Sequence, residues 1–341
     1  MAELIRAVGY RKNLPISDPS SLLDLTLPVP VPGEHDLLVR VEAVSVNPAD
    51  VKLRARSDPG GEPKILGYDA AGVVEQVGSA VTLFQPGDEV WYAGSIARSG
   101  SDAELHLVDE RITGPKPATL DFAEAAAMPL TTLTAWEALF DRLRLTSAST
   151  GTLLILGAAG GVGSILIQLA RQLTGLEVIG TASRADSQQW VLDRGAHRVV
   201  NHHDDLAAAL PDGVDYVFSP HSAGMIETFA RIVRPYGAVV AIDEPPNLDL
   251  LPLKSKSIAW HWELMFTRAL YDPASTAQHD ILRQAAALVD QGVLHTTLTE
   301  RIDGITAANL RRAHASVESG SAIGKTVVAG PWPGPPPATG A

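Results

Sequence analysis

The chain has 341 residues, of which 45% are hydrophobic, and a formal net charge of −12 from 27 Lys and Arg against 39 Asp and Glu. This length suggests about two domains, and the hydrophobic content argues against intrinsic disorder. The acidic balance argues against a nucleic-acid partner. The absence of cysteine excludes disulfide scaffolds, thiolate zinc sites, iron–sulfur clusters and cysteine nucleophiles.

No segment of the sequence has the pattern of a targeting or membrane sequence. Residues Met1–Asn13 carry charged side chains and no continuous apolar block, which predicts that no signal peptide is present. The long uncharged stretch Leu153–Ala170 is interrupted by several glycines, so it indicates a strand, a turn and a helix rather than a membrane span. We therefore expect a cytoplasmic protein with no membrane partner.

The first third of the chain is predicted to form short strands and tight turns. Apolar and polar side chains alternate over residues 39–43, as in a half-buried strand. Glycines bound a second strand at residues 72–78, and the Pro-Gly turn within residues 84–91 leads into a third. This part of the chain is predicted to be rich in β-structure.

The pattern becomes helical near Asp121. Asp121 and Glu124 have the spacing of a capping box, and Pro129 interrupts the segment that follows. From Leu133 to Leu143 apolar residues recur at three- and four-residue steps, which predicts one face of a helix.

Strands alternate with helices from Thr152 onward, which predicts crossover connections and a parallel sheet covered on both faces. The predicted strands are residues 153–156, 178–180, 198–200, 214–218 and 238–242, with helices clearest at 164–172 and 188–194. Further along the chain, the pattern predicts helices at 277–291 and 306–319 and a last strand at 325–329. The Pro/Gly-rich segment from Gly330 to the end is expected to be disordered.

The glycine-rich turn after the strand at 153–156 is a candidate cofactor site. It runs from Gly157 to Gly163 and leads into an apolar helix, the setting in which backbone N–H groups bind a pyrophosphate. Ala158 stands where the first glycine of G-x-G-x-x-G would be, so a purely structural turn is the alternative. The residues predicted to bind the dinucleotide are Gly160, Gly161, Val162 and Gly163.

The residues after the second strand of this region favour NADP(H) over NAD(H). An NAD site places an Asp or Glu there to bind the ribose 2′-hydroxyl, but the residues are Thr181-Ala182-Ser183-Arg184. The Ser183 hydroxyl and the Arg184 guanidinium suit a 2′-phosphate. The alternative is that Arg184 is an ordinary solvated surface residue.

Other short motifs occur together with this turn. They are Val46-Asn47-Pro48-Ala49-Asp50, Gly67-Tyr68-Asp69-Ala70-Ala71-Gly72, Pro86-Gly87-Asp88-Glu89-Val90, Leu133-Thr134-Ala135-Trp136, His261-Trp262-Glu263-Leu264-Met265-Phe266-Thr267-Arg268 and Ile323-Gly324-Lys325. In these motifs the chain resembles the medium-chain dehydrogenase/reductase superfamily. The resemblance is to its zinc-independent quinone oxidoreductase branch, in the group called zinc-type alcohol dehydrogenase-like proteins.

The resemblance implies an α/β fold with a GroES-like, β-rich catalytic domain and a Rossmann domain built on a doubly wound parallel sheet. The implied division is residues 1–126 for the GroES-like domain, 127–264 for the Rossmann NADP-binding domain, 265–331 for the return to the catalytic domain and 332–341 for a Pro/Gly-rich tail. The resemblance also implies a homodimer.

The same resemblance bears on zinc. The Cys, His and Cys that bind catalytic zinc in zinc-dependent relatives fall here on Asn47, Tyr68 and Leu130. A leucine cannot bind a metal ion, and a catalytic zinc needs three protein ligands. The four-Cys cluster of the structural zinc is absent too. We therefore expect no metal.

The activity that the resemblance implies is NADPH-dependent reduction of a small quinone or α,β-unsaturated carbonyl compound. Hydride transfer builds negative charge on a conjugated oxygen, which needs hydrogen-bond donors. The candidate catalytic residues are Asn47 with its amide, Lys52 with its ammonium and Tyr68 with a phenol that can also supply a proton. The alternatives are a turn role for Asn47, core packing for Tyr68, and pairing of Lys52 with a cofactor phosphate or an acid.

Further cofactor-binding residues are also implied by the resemblance. Thr134 is expected to hold the nicotinamide or its ribose, His202 to lie near the 2′-phosphate, and Lys325 to reach the cofactor from the last strand. For Thr134 the alternative is a bond to its own helix backbone, and for His202 an ordinary surface position. Asp69 is expected to bond backbone rather than to take part in chemistry.

Two other functions stay open at this point. One is a zinc-dependent alcohol or carbonyl dehydrogenase, and the other is a non-catalytic NADPH-binding scaffold or sensor.

Overall fold

The computed structural model describes residues 3–332 and residue 334. Its strands are β1 (Leu4–Tyr10), β2 (Leu23–Pro28), β3 (Asp36–Ser45), β4 (Lys64–Ile65), β5 (Ala70–Val77), β6 (Glu89–Tyr92), β7 (Leu105–Asp109), β8 (Thr113–Pro115), β9 (Thr150–Ile155), β10 (Gly175–Thr181), β11 (Arg198–Val200), β12 (Val214–Ser219), β13 (Val233–Ala241), β14 (Ala259–Trp262), β15 (Leu298–Asp303) and β16 (Lys325–Ala329).

The α-helices are α1 (Pro48–Arg56), α2 (Phe122–Ala126), α3 (Pro129–Trp136), α4 (Gly161–Leu173), α5 (Ala185–Asp193), α6 (Leu206–Ala209), α7 (Ile226–Ile232), α8 (Phe266–Tyr271), α9 (Ala277–Asp290) and α10 (Ala307–Glu318). Short 3₁₀ segments are formed by Glu110–Ile112 and Leu251–Lys256, and a π-helix by Glu137–Arg142. Among the described helices, none combines the length and the apolar character that crossing a bilayer requires.

The described residues form two compact units, and the first combines those up to Leu130 with those from Phe266 onward. Its larger sheet has the order β15-β16-β3-β5-β6-β8, with β7 also paired to β3, and its smaller sheet has the order β2-β1-β4. The central strand β3 is almost wholly buried because it pairs with β5, β7 and β16. This unit confirms the predicted GroES-like, β-rich domain.

The last strand of this unit returns the end of the chain to its centre. β16 pairs antiparallel with β3, and Val327 lies opposite Ser45. Its side chains are buried although Lys325 is among them. This pairing places the start of β16 beside the end of β3, where α1 begins.

The second unit, Thr131–Met265, contains a parallel sheet in the order β11-β10-β9-β12-β13-β14. Numbered within the unit, the strand order is 3-2-1-4-5-6, which is that of a doubly wound dinucleotide-binding sheet. The strands are rich in Val, Ile and Leu, as expected for strands covered on both faces. The sheet confirms the predicted Rossmann domain. β14 forms one edge, and the homodimer stays a prediction.

Residues 121–143 agree with the expectation at one end and differ at the other. Asp121 and Glu124 form the capping box of α2, and the helical segment is interrupted before Pro129, which begins α3 because proline is tolerated in a first turn. The single helical face expected to reach Leu143 is wrong, because the α-helix ends at Trp136 and a π-helix follows. The Leu143 N–H donates to the Ala138 carbonyl, and the wider turn breaks the α-helical spacing.

The expectation of a disordered segment from Gly330 onward is wrong for Trp332. Its ring is buried, and its Nε1 donates to the Val41 carbonyl at 3.1 Å. Arg6 Nη1 donates to the Trp332 carbonyl at 2.8 Å. The rest of the predicted tail, residue 333 and residues 335–341, lies outside the described residues.

Candidate functional site

Asn47 lies at the start of α1, with Pro48 as the first helical residue. Its side chain is 1% exposed, and its Oδ1 accepts a hydrogen bond from Lys325 Nζ at 2.5 Å. Its Nδ2 donates to Asp69 Oδ2 at 2.8 Å and to the Tyr68 carbonyl at 3.4 Å. Both N–H donors of the amide are therefore directed at protein atoms, which does not favour the predicted role of Asn47 as a donor to a substrate oxygen.

Asp69 is fully buried and accepts hydrogen bonds at both carboxylate oxygens. Oδ1 accepts from the Leu130 backbone N–H at 2.7 Å, as expected for a residue that bonds backbone. Oδ2 accepts from Asn47 and, at 3.1 Å, from Lys325. Burial raises the pKa of Asp69 above its ordinary value, while Lys325, Asn47 and Leu130 oppose that rise.

Lys325 is the cation of this buried cluster. Its Nζ contacts the Val46 carbonyl at 3.0 Å in addition to Asn47 and Asp69. An ammonium group has three N–H donors, and these three acceptors use all of them. These contacts do not favour the predicted role of Lys325 in binding the cofactor, which stays a prediction.

A second buried carboxyl, Asp50, lies in the first turn of α1. Its Oδ2 accepts from the Asn47 N–H at 2.8 Å, and its Oδ1 accepts from the Gly67 N–H at 3.0 Å. Burial raises the pKa of Asp50 to about 7, although these two backbone bonds and the charge of Lys325 oppose the rise. Asp50 thus ties the start of α1 to the segment that carries Tyr68.

Gly67 is required at this point of the chain. Its φ is +111°, and a Cβ atom there would lie 2.6 Å from Ser101 Oγ and 2.7 Å from the Asp102 N. The close approach of the two backbone segments sets the position of the next residue, Tyr68.

Tyr68 is buried, and its ring packs edge-on against Phe266, with 5.3 Å between the ring centroids. Burial raises the pKa of the phenol, and the negative charges of Asp50 and Asp102 raise it further. The phenol is therefore protonated at neutral pH and is a hydrogen-bond donor.

Lys52 is half-buried on α1, and its catalytic role stays a prediction.

In the second unit, the glycine-rich turn joins β9 to α4 at the point where the strand order reverses, between β9 and β12. Gly160 is the N-cap residue of α4, and Gly161 begins the helix. At Gly163 a Cβ atom would lie 2.6 Å from Ala158 Cα, so the helix packs closely on the turn. Ligands of doubly wound sheets bind at such a reversal. The turn therefore has the geometry predicted for a dinucleotide site, including Val162 at the second helical position.

The residues after β10 lie at the same edge of the sheet. Thr181 Oγ1 accepts a hydrogen bond from the Gly157 N–H at 3.1 Å and so holds the glycine-rich turn against β10. Arg184 is exposed and precedes the first residue of α5, while Ser183 is half-buried. No acidic side chain occurs between Thr181 and Arg184.

His202 follows β11, which pairs in parallel with β10, so it lies at this edge as well. Its ring centroid is 4.3 Å from that of His203. Desolvation lowers the pKa of His202, and the nearby His203 and His221 lower it further. The structure thus brings the glycine-rich turn, Ser183, Arg184 and His202 to one edge. Thr134 is buried on α3, and its role stays a prediction.

Sequence reasoning missed Asp50 and the cluster of Asn47, Asp69 and Lys325. A signal was present, since Lys325 opens a strand that is otherwise apolar apart from Thr326. A lysine in such a strand needs a buried partner. The sequence alone does not say which carboxylate that partner is.

The chain matches the models of two protein families. Residues 33–132 match the family described as "Alcohol dehydrogenase GroES-like domain", and residues 194–328 match the one described as "Zinc-binding dehydrogenase". A zinc-type alcohol dehydrogenase-like protein of Staphylococcus epidermidis is 38% identical over 337 residues, which is 95% of this chain and 99% of that protein. An NADPH-dependent alkenal/one oxidoreductase of Arabidopsis thaliana chloroplasts is 34% identical over 230 residues, 64% of this chain and 58% of that protein.

A solved structure from Rhizobium etli CFN 42, which carries a zinc-dependent alcohol dehydrogenase description, is 49% identical with a TM-score of 0.92. It covers 98% of this chain, and this chain covers all of it. The fold, the motifs and these relatives lead to one conclusion. The chain is an oxidoreductase of the medium-chain dehydrogenase/reductase superfamily and belongs to its zinc-type alcohol dehydrogenase-like proteins.

Proposed function

We propose that this protein is an NADPH-dependent reductase of quinones or α,β-unsaturated carbonyl compounds and that it transfers hydride without zinc. The observation that carries the proposal is the sheet edge in the second unit. There a glycine-rich turn at a helix N-terminus lies beside a strand end with a serine and an arginine and no acid. The similarity to a plant alkenal/one oxidoreductase named as NADPH-dependent supports the same substrate class.

The residues of this edge fit a dinucleotide. The N–H groups at the start of α4 favour an anion such as the pyrophosphate. A Cβ atom at Gly160 would have one atom within 4 Å, the Gly157 carbonyl oxygen at 3.3 Å, so the space beside this glycine is open. When bound, the reduced nicotinamide supplies the hydride, and the protein has to orient it and stabilise the charge that develops.

The preference for NADPH is proposed to come from Ser183, Arg184 and His202. A guanidinium forms paired, charge-assisted hydrogen bonds with a phosphate. A carboxylate at the end of β10 would repel the 2′-phosphate, and none is present between Thr181 and Arg184.

For the substrate oxygen, the proposal relies on Lys52 and Tyr68. Asn47 is set aside because its amide donors bond Asp69 and the Tyr68 carbonyl. The raised pKa of Tyr68 keeps its phenol protonated, so it can donate a hydrogen bond to an enolate oxygen as the charge forms.

The test is a panel of quinones and enones assayed with NADPH and with NADH, each with and without a metal chelator. We expect substrate-dependent loss of reduced-nicotinamide absorbance with NADPH, unaffected by the chelator. Activity that requires stoichiometric zinc and is lost with the chelator would instead indicate an alcohol or carbonyl dehydrogenase. Tight NADPH binding without turnover of any compound would indicate a scaffold or sensor.

A further inference from the structure

The family descriptions matched by this chain imply a zinc ion, but the donor set at the corresponding positions does not fit one. Zinc in proteins is bound by thiolate, imidazole or carboxylate groups, and a catalytic site keeps three of them. Here the three positions hold an amide, a phenol and the apolar side chain of Leu130. Among the described residues, no three His, Cys, Asp or Glu side chains are grouped so as to hold a metal ion.

The carboxylate that contacts both Asn47 and Leu130, that of Asp69, already accepts hydrogen bonds from the protein. Both oxygens of Asp69 accept hydrogen bonds, one from the Leu130 backbone and the other from Asn47 and Lys325. A metal ion at Asp69 would compete with these bonds in a fully buried environment, where an unpaired donor is costly.

A positive charge is nevertheless present in the cluster. The Lys325 side chain is 5% exposed, and its ammonium lies among three oxygen atoms at 2.5 to 3.1 Å. Burying an ammonium without a counter-charge is strongly unfavourable, and the fully buried Asp69 supplies that charge. A divalent ion beside this ammonium would be repelled in an environment that screens charge poorly.

We infer that the ammonium group of Lys325 is the resident cation of this cluster and that it takes the place of the zinc ion that the family descriptions imply. It orients the amide of Asn47 and neutralises Asp69, which in turn holds the backbone of Leu130. The inference rests on the zinc-free chemistry of the proposed function. It is tested by metal content and folding, neither of which depends on turnover.

The first measurement is the zinc content of the native protein after growth in zinc-supplemented medium and dialysis without chelator. We expect far less than one zinc ion per chain and a thermal unfolding temperature that does not change when a chelator is added. Near-stoichiometric zinc that the chelator removes, with a fall in the unfolding temperature, would overturn the inference.

The second measurement is a double-mutant cycle with Lys325→Met, Asp69→Asn and the double variant, followed by urea unfolding. Each single variant leaves one buried charge unpaired, and we expect the unfolding equilibrium constant to rise by about 100-fold or more. The double variant removes both charges, so its loss should be much smaller than the product of the two single effects.

Arg283→Met is the matched control, because Arg283 pairs with Asp280 on the surface and such pairs contribute little. If Lys325→Met does not fold, the comparison of Asp69→Asn with the double variant still decides. A double variant that is less stable than Asp69→Asn would show that the ammonium carries no cost when Asp69 is neutral, so the two groups would not be counter-charges and the inference would fail.

Discussion

The ammonium nitrogen of Lys325 lies 2.5 Å from the amide oxygen of Asn47, although 278 positions separate the two residues in the sequence. This bond identifies which end of the amide is oxygen, and it directs the amide nitrogen to Asp69. Both side chains thus bond protein atoms. These contacts do not favour the predicted cofactor role of Lys325 or the predicted substrate role of Asn47.

Replacing Arg184 with Gln is expected to weaken NADPH binding by about 10- to 100-fold, because charged hydrogen bonds to the 2′-phosphate are lost. Binding of NADH, which lacks that phosphate, should change little. The two dissociation constants are measured by titration of the reduced-nicotinamide fluorescence.

The control for Arg184→Gln is Arg198→Gln. It removes the same charge at the start of β11, which is the opposite end of the strand from the proposed cofactor site. This variant should leave the binding of both cofactors unchanged. Equal losses of NADPH and NADH affinity in the Arg184 variant would contradict the assignment of the 2′-phosphate site.

Replacing Gly163 with Ala is expected to lower the free energy of unfolding by about 1–3 kcal/mol, which is typical of overpacking. The added Cβ would lie 2.6 Å from Ala158 Cα, a backbone atom that cannot turn away. Urea unfolding measures the change. A Gly163→Ala protein as stable as the native one would show that the turn is not closely packed on α4.

Gly160→Ala provides the contrast within the same turn. Its Cβ would meet the Gly157 carbonyl at 3.3 Å, so the fold should tolerate it. The methyl group would stand on the proposed path of the pyrophosphate, and we expect weaker binding of both NADPH and NADH. Unchanged affinity for both cofactors would argue against pyrophosphate binding at this turn.

The buried His106 is expected to make the free energy of unfolding fall at acid pH. Burial lowers its pKa to about 4, and its Nε2 lies 2.9 Å from the Ser99 carbonyl, which assigns the proton of the neutral ring to Nε2. In the unfolded chain a histidine has a pKa of about 6.5. Between these values the unfolded state binds more protons, so the free energy of unfolding falls as pH falls from about 6.5 to about 4.

The contribution of His106 to this loss is at most about 3 kcal/mol. His106→Gln keeps a donor for Ser99 but cannot be protonated, and urea unfolding at several pH values should show a smaller slope. Replacement of the exposed His295 by Gln is the control and should change the slope much less. An unaltered slope in the His106 variant would mean that other groups cause the acid sensitivity.

Trp332→Ala is expected to destabilise the protein by about 3 kcal/mol, as is typical when a buried tryptophan is truncated. The Trp332 residue is 9% exposed and bonds Val41. Trp262→Ala removes a ring that is 51% exposed and should cost less. Thermal and urea unfolding of both variants test the difference, and equal losses would contradict it.

The sequence alone predicted much of the second unit because the signals there are local. Alternation of apolar strands with helices indicates a parallel sheet at any position in a chain. The glycine-rich turn was recognisable from its place between strand and helix, and the absence of an acid after Thr181 is visible in the sequence itself. The strand order 3-2-1-4-5-6 confirms the predicted doubly wound parallel sheet.

Two predictions that used only apolar spacing or composition were wrong. The apolar pattern from Leu133 to Leu143 assumed α-helical turns, but backbone bonding after Trp136 is that of a π-helix. Trp332 stands among prolines and glycines, a composition typical of disorder, yet its ring is buried and bonds Val41, and its carbonyl accepts a hydrogen bond from Arg6. Neither outcome is encoded in residue spacing or composition.

By itself, the sequence determined the fold class, the glycine-rich turn and the lack of zinc-binding side chains at Asn47, Tyr68 and Leu130, since each of these depends on residue identity and short-range pattern. Only the tertiary structure decided the role of Lys325. The partner of a buried charge is set by which strands pair, and the pairing of β16 with β3 brings Lys325 to Asn47 and Asp69. A lysine that looks like a cofactor ligand in the sequence is therefore the internal counter-charge of a buried aspartate in the folded protein.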